Sequence, residues 1–305
     1  MSMVINHNMM AMNASRNLAN SYSALGVSTR RLSSGLRVGT AADDAAGLAI
    51  RELMRSDITS LNQGIRNAND GISLIQTADG ALSVIDEKLI RMKELATQAA
   101  SGTYNSDQRL IIDSEYQAMA SEVTRIANST DFNGIYLLNG NLSGENSAHN
   151  GHGLNSTGPL KVHFGTGNDC AEDYYYVAIG TSTASALGLG HDAGAKTGSG
   201  EEVNAGKTIS TQALAQASLD AINNAIISKD KIRANLGSLQ NRLENTVSVL
   251  QIQAENIQAA ESQISDVDVA TEMTEFVRQQ ILTQSAVSML SQANSLPRMA
   301  MSLMG

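Results

Sequence analysis

Tryptophan is missing from the 305 residues, and only three Phe and seven Tyr are present. A core must therefore be filled by Leu, Ile, Val, Met and Ala. Those side chains suit seams between closely spaced helices better than a deep ligand pocket lined by aromatics. Proline occurs only twice, so little in the chain interrupts a long helix. Cys170 stands alone, which excludes an internal disulfide and points to no redox chemistry. Basic charge is in deficit, with 21 Lys and Arg against 30 Asp and Glu and a net charge of −9. Such a chain lacks the basic surface that nucleic-acid binding requires, and no nucleic-acid partner is expected. No run approaches the roughly 18 apolar residues of a membrane span. Residues 1 to 13 lack the basic segment and apolar run of a cleavable signal, so export, if it occurs, is expected without cleavage.

What is present is helical periodicity. From Asp43 to about Ala100, apolar residues recur at steps of three and four: Ile58, Leu61, Ile65, Ala68, Ile72, Ile75, Ala78, Leu82, Ile85, Leu89, Met92 and Leu95. Thr40 and Asp43 are spaced as a capping box at its start. Unbroken, this helix would be on the order of 80 Å long at about 1.5 Å per residue. A second helix is expected from about Asp107 to Asn128, with Leu110, Ile111, Tyr116, Met119, Val123 and Ile126 on one stripe. Toward the other end Leu236, Leu243, Leu250, Ile257 and Ile264 follow at seven-residue spacing, with Leu239, Val247 and Ala254 between them. A heptad pattern of this kind needs a partner helix, and the obvious one begins at Asp43.

Between these helices lies a stretch of different chemistry, 141–207, rich in Gly, Asn, Ser and Thr. Two strand-like runs, Leu160 to Phe164 and Tyr174 to Ile179, suggest a small β-rich insertion on the outer side or at the end of a helical rod. The extreme ends form a third kind of segment. Residues 1–42 carry Arg16, Arg30, Arg31 and Arg37 and no acid, with Leu18, Tyr22, Leu25 and Leu32 at helical spacing. Residues 266–305 open on Asp266, Asp268, Glu272 and Glu275 and then turn apolar through Val287, Met289, Leu290, Leu296 and Met299. Isolated helices with such stripes are marginal in water, so the two arms are expected to be disordered alone and to order against other copies of the chain.

Catalytic and ligand-binding patterns are weak. Gly206-Lys207-Thr208 resembles the end of a phosphate-binding loop, but Glu201 stands where the loop requires its first Gly. His149, His152, His163, His191 and Cys170 share the insertion without a zinc-ligand spacing. Asp43-Asp44 and Glu201-Glu202 fit a helix start and a solvated turn. Gly-x-Ser-x-Gly is absent. These residues lead to no enzyme, no cofactor and no metal as the expectation.

Longer motifs carry a resemblance. Leu32-Ser-Ser-Gly-Leu-Arg37, Ala42-Asp-Asp-Ala-Ala-Gly-Leu-Ala-Ile50, the run from Asn67 to Leu82, Asp131-Phe-Asn-Gly134 and Leu137-Leu-Asn-Gly140 resemble the N-terminal half of bacterial flagellins. Leu236 to Leu243, Ala260 to Ala270, Gln279 to Leu282 and Gln292 to Asn294 resemble the C-terminal half. The ending Leu296-Pro-Arg-Met-Ala-Met-Ser-Leu-Met-Gly305 departs from the basic residue that closes many flagellins.

The resemblance implies a mainly α fold: a long coiled-coil rod with paired terminal helices and a small β-rich central insertion. Residues 1–42 with 266–305 would form the polymerisation domain, 43–140 with 208–265 the rod, and 141–207 an outward-facing variable insertion. It implies a structural subunit that self-assembles into the bacterial flagellar filament for swimming, secreted unfolded through the flagellar type III apparatus. The implied partners are other copies of the chain, an export chaperone, and the filament cap and hook-associated proteins, with no nucleic acid and no membrane. In animals the innate receptor TLR5 recognises such rods, and Arg91, Leu95 and Glu115 fall at the matching positions, with Ile90 replacing a polar residue common beside them. A hook-associated junction protein and an enzyme or metal module carried by the insertion are the alternatives.

Overall fold

The computed structural model describes residues 8–143, 158–169, 172–189 and 207–304. The side chains of 296–298 and 300–304 lie outside that description. The chain forms two compact units, Met1–Thr59 with Ala254–Gly305, and Ser60–Gln253. Among the described residues there are five helices: α1 (Met9–Ser34), α2 (Ala45–Ala100), α3 (Ser106–Ser129), α4 (Gln212–Ser265) and α5 (Val269–Met304). Four short strands, β1 (Asp131–Phe132), β2 (Ile135–Tyr136), β3 (Leu160–His163) and β4 (Tyr174–Val177), make two antiparallel hairpins.

In the unit Ser60–Gln253, α2 presents one buried seam: Leu61, Gly64, Ala68, Gly71, Ile75, Ala78, Leu82, Ile85, Leu89 and Met92. The spacing alternates strictly between three and four, the pattern of a coiled-coil face. The expected stripe included Ile65 and Ile72, but both are only half-buried and the seam positions beside them are glycines. The hairpin β3–β4 explains this. A Cβ on Gly64 would sit 1.9 Å from the carbonyl oxygen of Phe164, and one on Gly71 would sit 3.2 Å from Val162. At Gly64 the hairpin's backbone leaves no room for a side chain, and at Gly71 the Val162 side chain crowds the position.

Helix α4 runs antiparallel to this stretch of α2. Gly71 lies beside Leu243, Asp79 accepts from Arg233 at 2.7 Å, and Asp86 accepts from Lys229 at 2.6 Å. Lys229 occupies the heptad position one turn of the repeat before Leu236, and its side chain is 2% exposed. Helix α3 starts with a capping box in which Asn105 accepts from the Gln108 amide and the Gln108 side chain accepts from the Asn105 amide. It buries Ile112, Tyr116, Ala120 and Val123. Tyr116, Val123 and Ile126 of the expected stripe are buried, but Leu110 and Ile111 are exposed, Ile111 at 71%, because the buried face enters the helix at Ile112. Burial, and secondarily the Asp113 charge, pushes the Tyr116 hydroxyl well above the ordinary tyrosine value.

The insertion's two strand-like runs form the hairpin β3–β4, with Val162 opposite Tyr175 and His163 opposite Tyr174. The smaller hairpin β1–β2 turns on Asn133 and Gly134, both at positive φ (51° and 79°). An Asn-Gly pair between two apolar residues is the usual signal for such a turn. Asp113 on α3 accepts from the Ile209 amide (2.7 Å) and the Thr208 hydroxyl (3.0 Å), anchoring the chain as it enters α4.

In the unit Met1–Thr59 with Ala254–Gly305, α1 and α5 pack side by side and antiparallel, with Asn8 Nδ2 donating to the Ala293 carbonyl (2.8 Å) near one end and Arg31 facing Glu272 (3.6 Å) near the other. The arms, expected to lack structure outside a polymer, are therefore helices here, because each offers the other a partly apolar face. Helix α2 begins after Asp44, whose carboxylate accepts from the Ala46 and Gly47 amides. Thr40 and Asp43, expected to cap it, instead close a turn on each other. Gly47 is needed for this cap, since a Cβ there would lie 2.4 Å from the Asp44 carboxylate.

Candidate assembly surface

Four small devices hold the α1–α5 pair in place. Gly35 ends α1 in the left-handed region (φ 73°), where its amide reaches back to the Arg31 carbonyl at 2.8 Å. Gly35 also accepts from the Val267 amide, and the Arg37 amide donates to the Ser265 carbonyl, so the links into α1 and α5 run together as a short bridge. The Arg37 guanidinium donates to the last carbonyls of α4, Gln263 (3.4 Å) and Ile264 (2.8 Å), a basic cap at the negative end of that helix. Arg51 is buried and donates to the Val38 carbonyl (2.6 Å) while pairing with Glu52.

The acids at the start of the last arm are used within the chain. Asp268 caps α5, accepting from the Ala270 and Thr271 amides and from the Thr271 hydroxyl, and these bonds hold its carboxyl below the usual range, the hydroxyl most of all. Glu275 is held low by Gln279 first and Arg278 second. Asp43 is held low chiefly by the Thr40 hydroxyl, with Arg30 adding its charge at 3.0 Å. The Arg31–Glu272 pair is thus an internal contact, where an arrangement between copies had been expected.

Apolar side chains are left over. Leu18, Leu25, Leu32 and Leu290 are half-buried, and Leu290 shares a groove with Ala11, Met12, Ser15 and Arg16. Tyr22 is 68% exposed, and the side chain of Leu296 lies outside the described residues. On α5, Val269, Met273, Val277 and Ile281 form a ridge at four-residue spacing, each 44 to 59% exposed. Leu282, Val287 and Met289 add to it, so apolar residues surround α5 while α1 lies against it along part of its circumference. An apolar ridge left in water on a helix marks a face that a further partner can cover. Finishing the burial of each ridge residue would contribute about 1 kcal/mol.

The other expected residues fall as follows. Leu236, Leu243 and Leu250 are buried, whereas Ile257 and Ile264 are half-buried. Arg91 and Glu115 are exposed and paired with each other at 2.8 Å, with Glu94 also on Arg91 at 2.9 Å. Leu95, expected beside them as a surface contact, is 1% exposed, since α2 turns it inward with Met92 and Ala96. Of the metal-capable residues, His163 is stacked on Tyr174; His149, His152, Cys170 and His191 lie outside the described residues, as does Gly206. No group of His, Cys, Asp and Glu among the described residues could hold a metal ion, and no helix among them is long and apolar enough to cross a membrane.

Two family models match the chain: the bacterial flagellin N-terminal helical region over residues 5–143 and the bacterial flagellin C-terminal helical region over residues 219–304. The chain is 40% identical to the flagellar filament 33 kDa core protein of Treponema phagedenis, across 99% of this chain and 100% of that protein. It is 38% identical to a flagellin of Bacillus subtilis, again across 99% and 100%. Among solved structures it is similar to the crystal structure of Bacillus cereus flagellin, with 27% identity, a TM-score of 0.45, and coverage of 64% of this chain and 94% of that one.

Proposed function

Because the chain belongs to the bacterial flagellin family, we propose that it polymerises with copies of itself into the flagellar filament through the outward faces of α1 and α5, and that its role is mechanical and not catalytic. The observation that carries this reading is the ridge Val269, Met273, Val277 and Ile281 on α5, each about half exposed to water. In a polymer each copy's ridge meets other copies, and a contact that does not close on itself propagates as a helical array.

The division of labour follows from the same logic. Residues 1–42 and 266–305 act as the polymerisation domain, 43–140 and 208–265 as the rod, and 141–207 as an insertion that faces outward in the filament. Export in the unfolded state through the type III apparatus suits a chain whose arms would otherwise associate too early. A chaperone that covers α5 during export has an apolar surface to hold. The filament cap and the hook-associated proteins would meet those same arms at the ends of the polymer. Recognition by TLR5 would use Arg91 and Glu115 at the surface, with Leu95 supporting α2 from inside.

The test uses the full-length chain with Val277→Asp and Ile281→Asp. Both positions are exposed, so helicity and solubility of the subunit are expected to be unchanged while seeded polymerisation is lost. Filaments of normal length and yield, seen by electron microscopy and sedimentation, would overturn the proposal.

A further inference from the structure

Methionine is distributed very unevenly. Of the 13 in the chain, only Met54, Met92 and Met119 lie outside the first 42 and last 40 residues. On the paired arms, Met9, Met10, Met12, Met273, Met289 and Met299 are each 45 to 61% exposed, whereas Met92 in the α2 seam is fully buried. Met10 and Met289 line one groove beside the α1–α5 pair, together with Ala14, Asn17, Leu282 and Ala286. Met12 lines a second groove with Leu290. Thioethers therefore sit on surfaces that mix apolar and small polar side chains, reachable by small solutes and, on the assembly reading above, destined for burial.

We propose that Met9, Met10, Met12, Met273, Met289 and Met299 form a modification site for peroxide-class two-electron oxidants, whose oxidation blocks polymerisation of the free subunit and whose burial in the filament protects them. The inference rests on the assembly reading. In each reaction the thioether sulfur attacks one peroxide oxygen and the O–O bond breaks. That oxygen stays on sulfur as the sulfoxide and the other leaves as water, so sulfur is oxidised by two electrons and the peroxide is reduced by two. The product replaces a flexible apolar tip with a polar, chiral acceptor. Met273 lies on the ridge with Val269, Val277 and Ile281, whereas the grooves around Met10, Met12 and Met289 mix Ala and Leu with Asn, Ser and Arg16, so an oxygen added at Met273 meets the most apolar surroundings. A sulfoxide oxygen carried into an apolar contact without a donor opposes assembly. Methionine's adaptability explains why it suits a surface that must fit several neighbours. The same choice makes that surface sensitive to oxidation, which leucine would not be.

The experiment treats purified full-length subunit with dilute hydrogen peroxide, maps the added oxygens by peptide mass spectrometry, and measures seeded polymerisation. The six arm methionines are expected to react well before Met92, with helicity unchanged. One unsatisfied oxygen buried per subunit should raise the critical concentration by about tenfold or more. Treatment with the pair of sulfoxide reductases that act on the two epimers should restore it. Preformed filaments should react more slowly at the same six positions, and the Met→Leu variant at all six should polymerise regardless of peroxide. Normal polymerisation of the oxidised subunit, equal reaction rates in subunit and filament, or failure of the reductases to restore assembly would overturn the proposal. So would loss of assembly by the peroxide-treated leucine variant. Failure of the untreated wild-type chain to polymerise would instead refute the assembly reading.

Discussion

Replacing Asp86 with alanine tests whether a polar pair, set into an otherwise apolar seam, fixes the register of α4 on α2. Lys229 occupies a heptad core position, its side chain 2% exposed, with its ammonium 2.6 Å from Asp86 and 2.8 Å from Asp230. Asp230 belongs to the same helix as Lys229, so across the seam the direct contact to the ammonium comes from Asp86, with Asp79 adding its charge from farther off. Breaking a buried ion pair by removing one member costs about 3–5 kcal/mol, because the remaining charge stays desolvated. Here Asp230 remains and Asp86 is 29% exposed, which lowers the expectation to roughly 2–3 kcal/mol. For a unit of this size about 2–4 °C are lost per kcal/mol, so the melting temperature should fall by roughly 5–10 °C. Lys229→Met is the informative control. It removes the buried charge at nearly constant volume and leaves both carboxylates to water, so its cost should stay within about 1 kcal/mol. Thermal unfolding of the full-length subunit, followed by circular dichroism, measures both. The reasoning fails if Asp86→Ala melts with wild type, or if Lys229→Met is as damaging as Asp86→Ala. The first result would mean that water reaches the ammonium, the second that the lysine stem and not its charge holds the seam.

Leu250→Asp places a carboxylate at a buried position of the same seam and should cost several kcal/mol, at least about 2, read as a lowered urea midpoint. Gly64→Ala sets a methyl 1.9 Å from the Phe164 carbonyl oxygen, so the hairpin β3–β4 must shift; faster amide exchange at Val162 and Val177 is the readout, and unchanged exchange would count against the close approach. Asp79 has its carboxyl held below the ordinary value, first by its hydrogen bonds from Arg233. A folded-state value below the unfolded one contributes stability that is present above the unfolded pKa of about 3.9 and lost as pH falls through the folded value. Asp79→Asn should therefore flatten the acid limb of the stability profile below about pH 4, and a profile parallel to wild type there would refute the assignment. Replacing Arg91 and Glu115 together with alanine removes an exposed pair and should leave the melting curve unchanged while reducing TLR5 signalling; equal signalling would remove these two residues from the receptor contact.

Repetition along the chain made much of this protein legible. Leu236, Leu243 and Leu250 could be assigned to one seam because a seven-residue period is a local property, and each is buried. The runs at Leu160 and Tyr174 are strands for the same reason, and α3 lies within a residue or two of its expected span. The β1–β2 turn is equally legible in Asn133-Gly134, and the capping box in Asn105 and Gln108.

Phase and partnership were decided only in three dimensions. Gly64 and Gly71 hold the α2 seam where Ile65 and Ile72 had been expected, because the Phe164 backbone beside Gly64 and the Val162 side chain beside Gly71 arrive from about a hundred positions away. Lys229 was invisible as a core residue, since a charge interrupts an apolar pattern unless the opposing carboxylate is known to lie across the seam. The cap of α2 moved from Thr40 to Asp44 because the carboxylates of Asp43 and Asp44 compete for neighbouring amides, and the chain path settles which is in reach. Leu95 was expected from the resemblance to be a receptor contact, yet α2 turns it inward. The last arm was plainly apolar from composition alone. Which of its side chains α1 covers, and which are left to a further copy of the chain, depends on how two segments more than two hundred residues apart lie against each other.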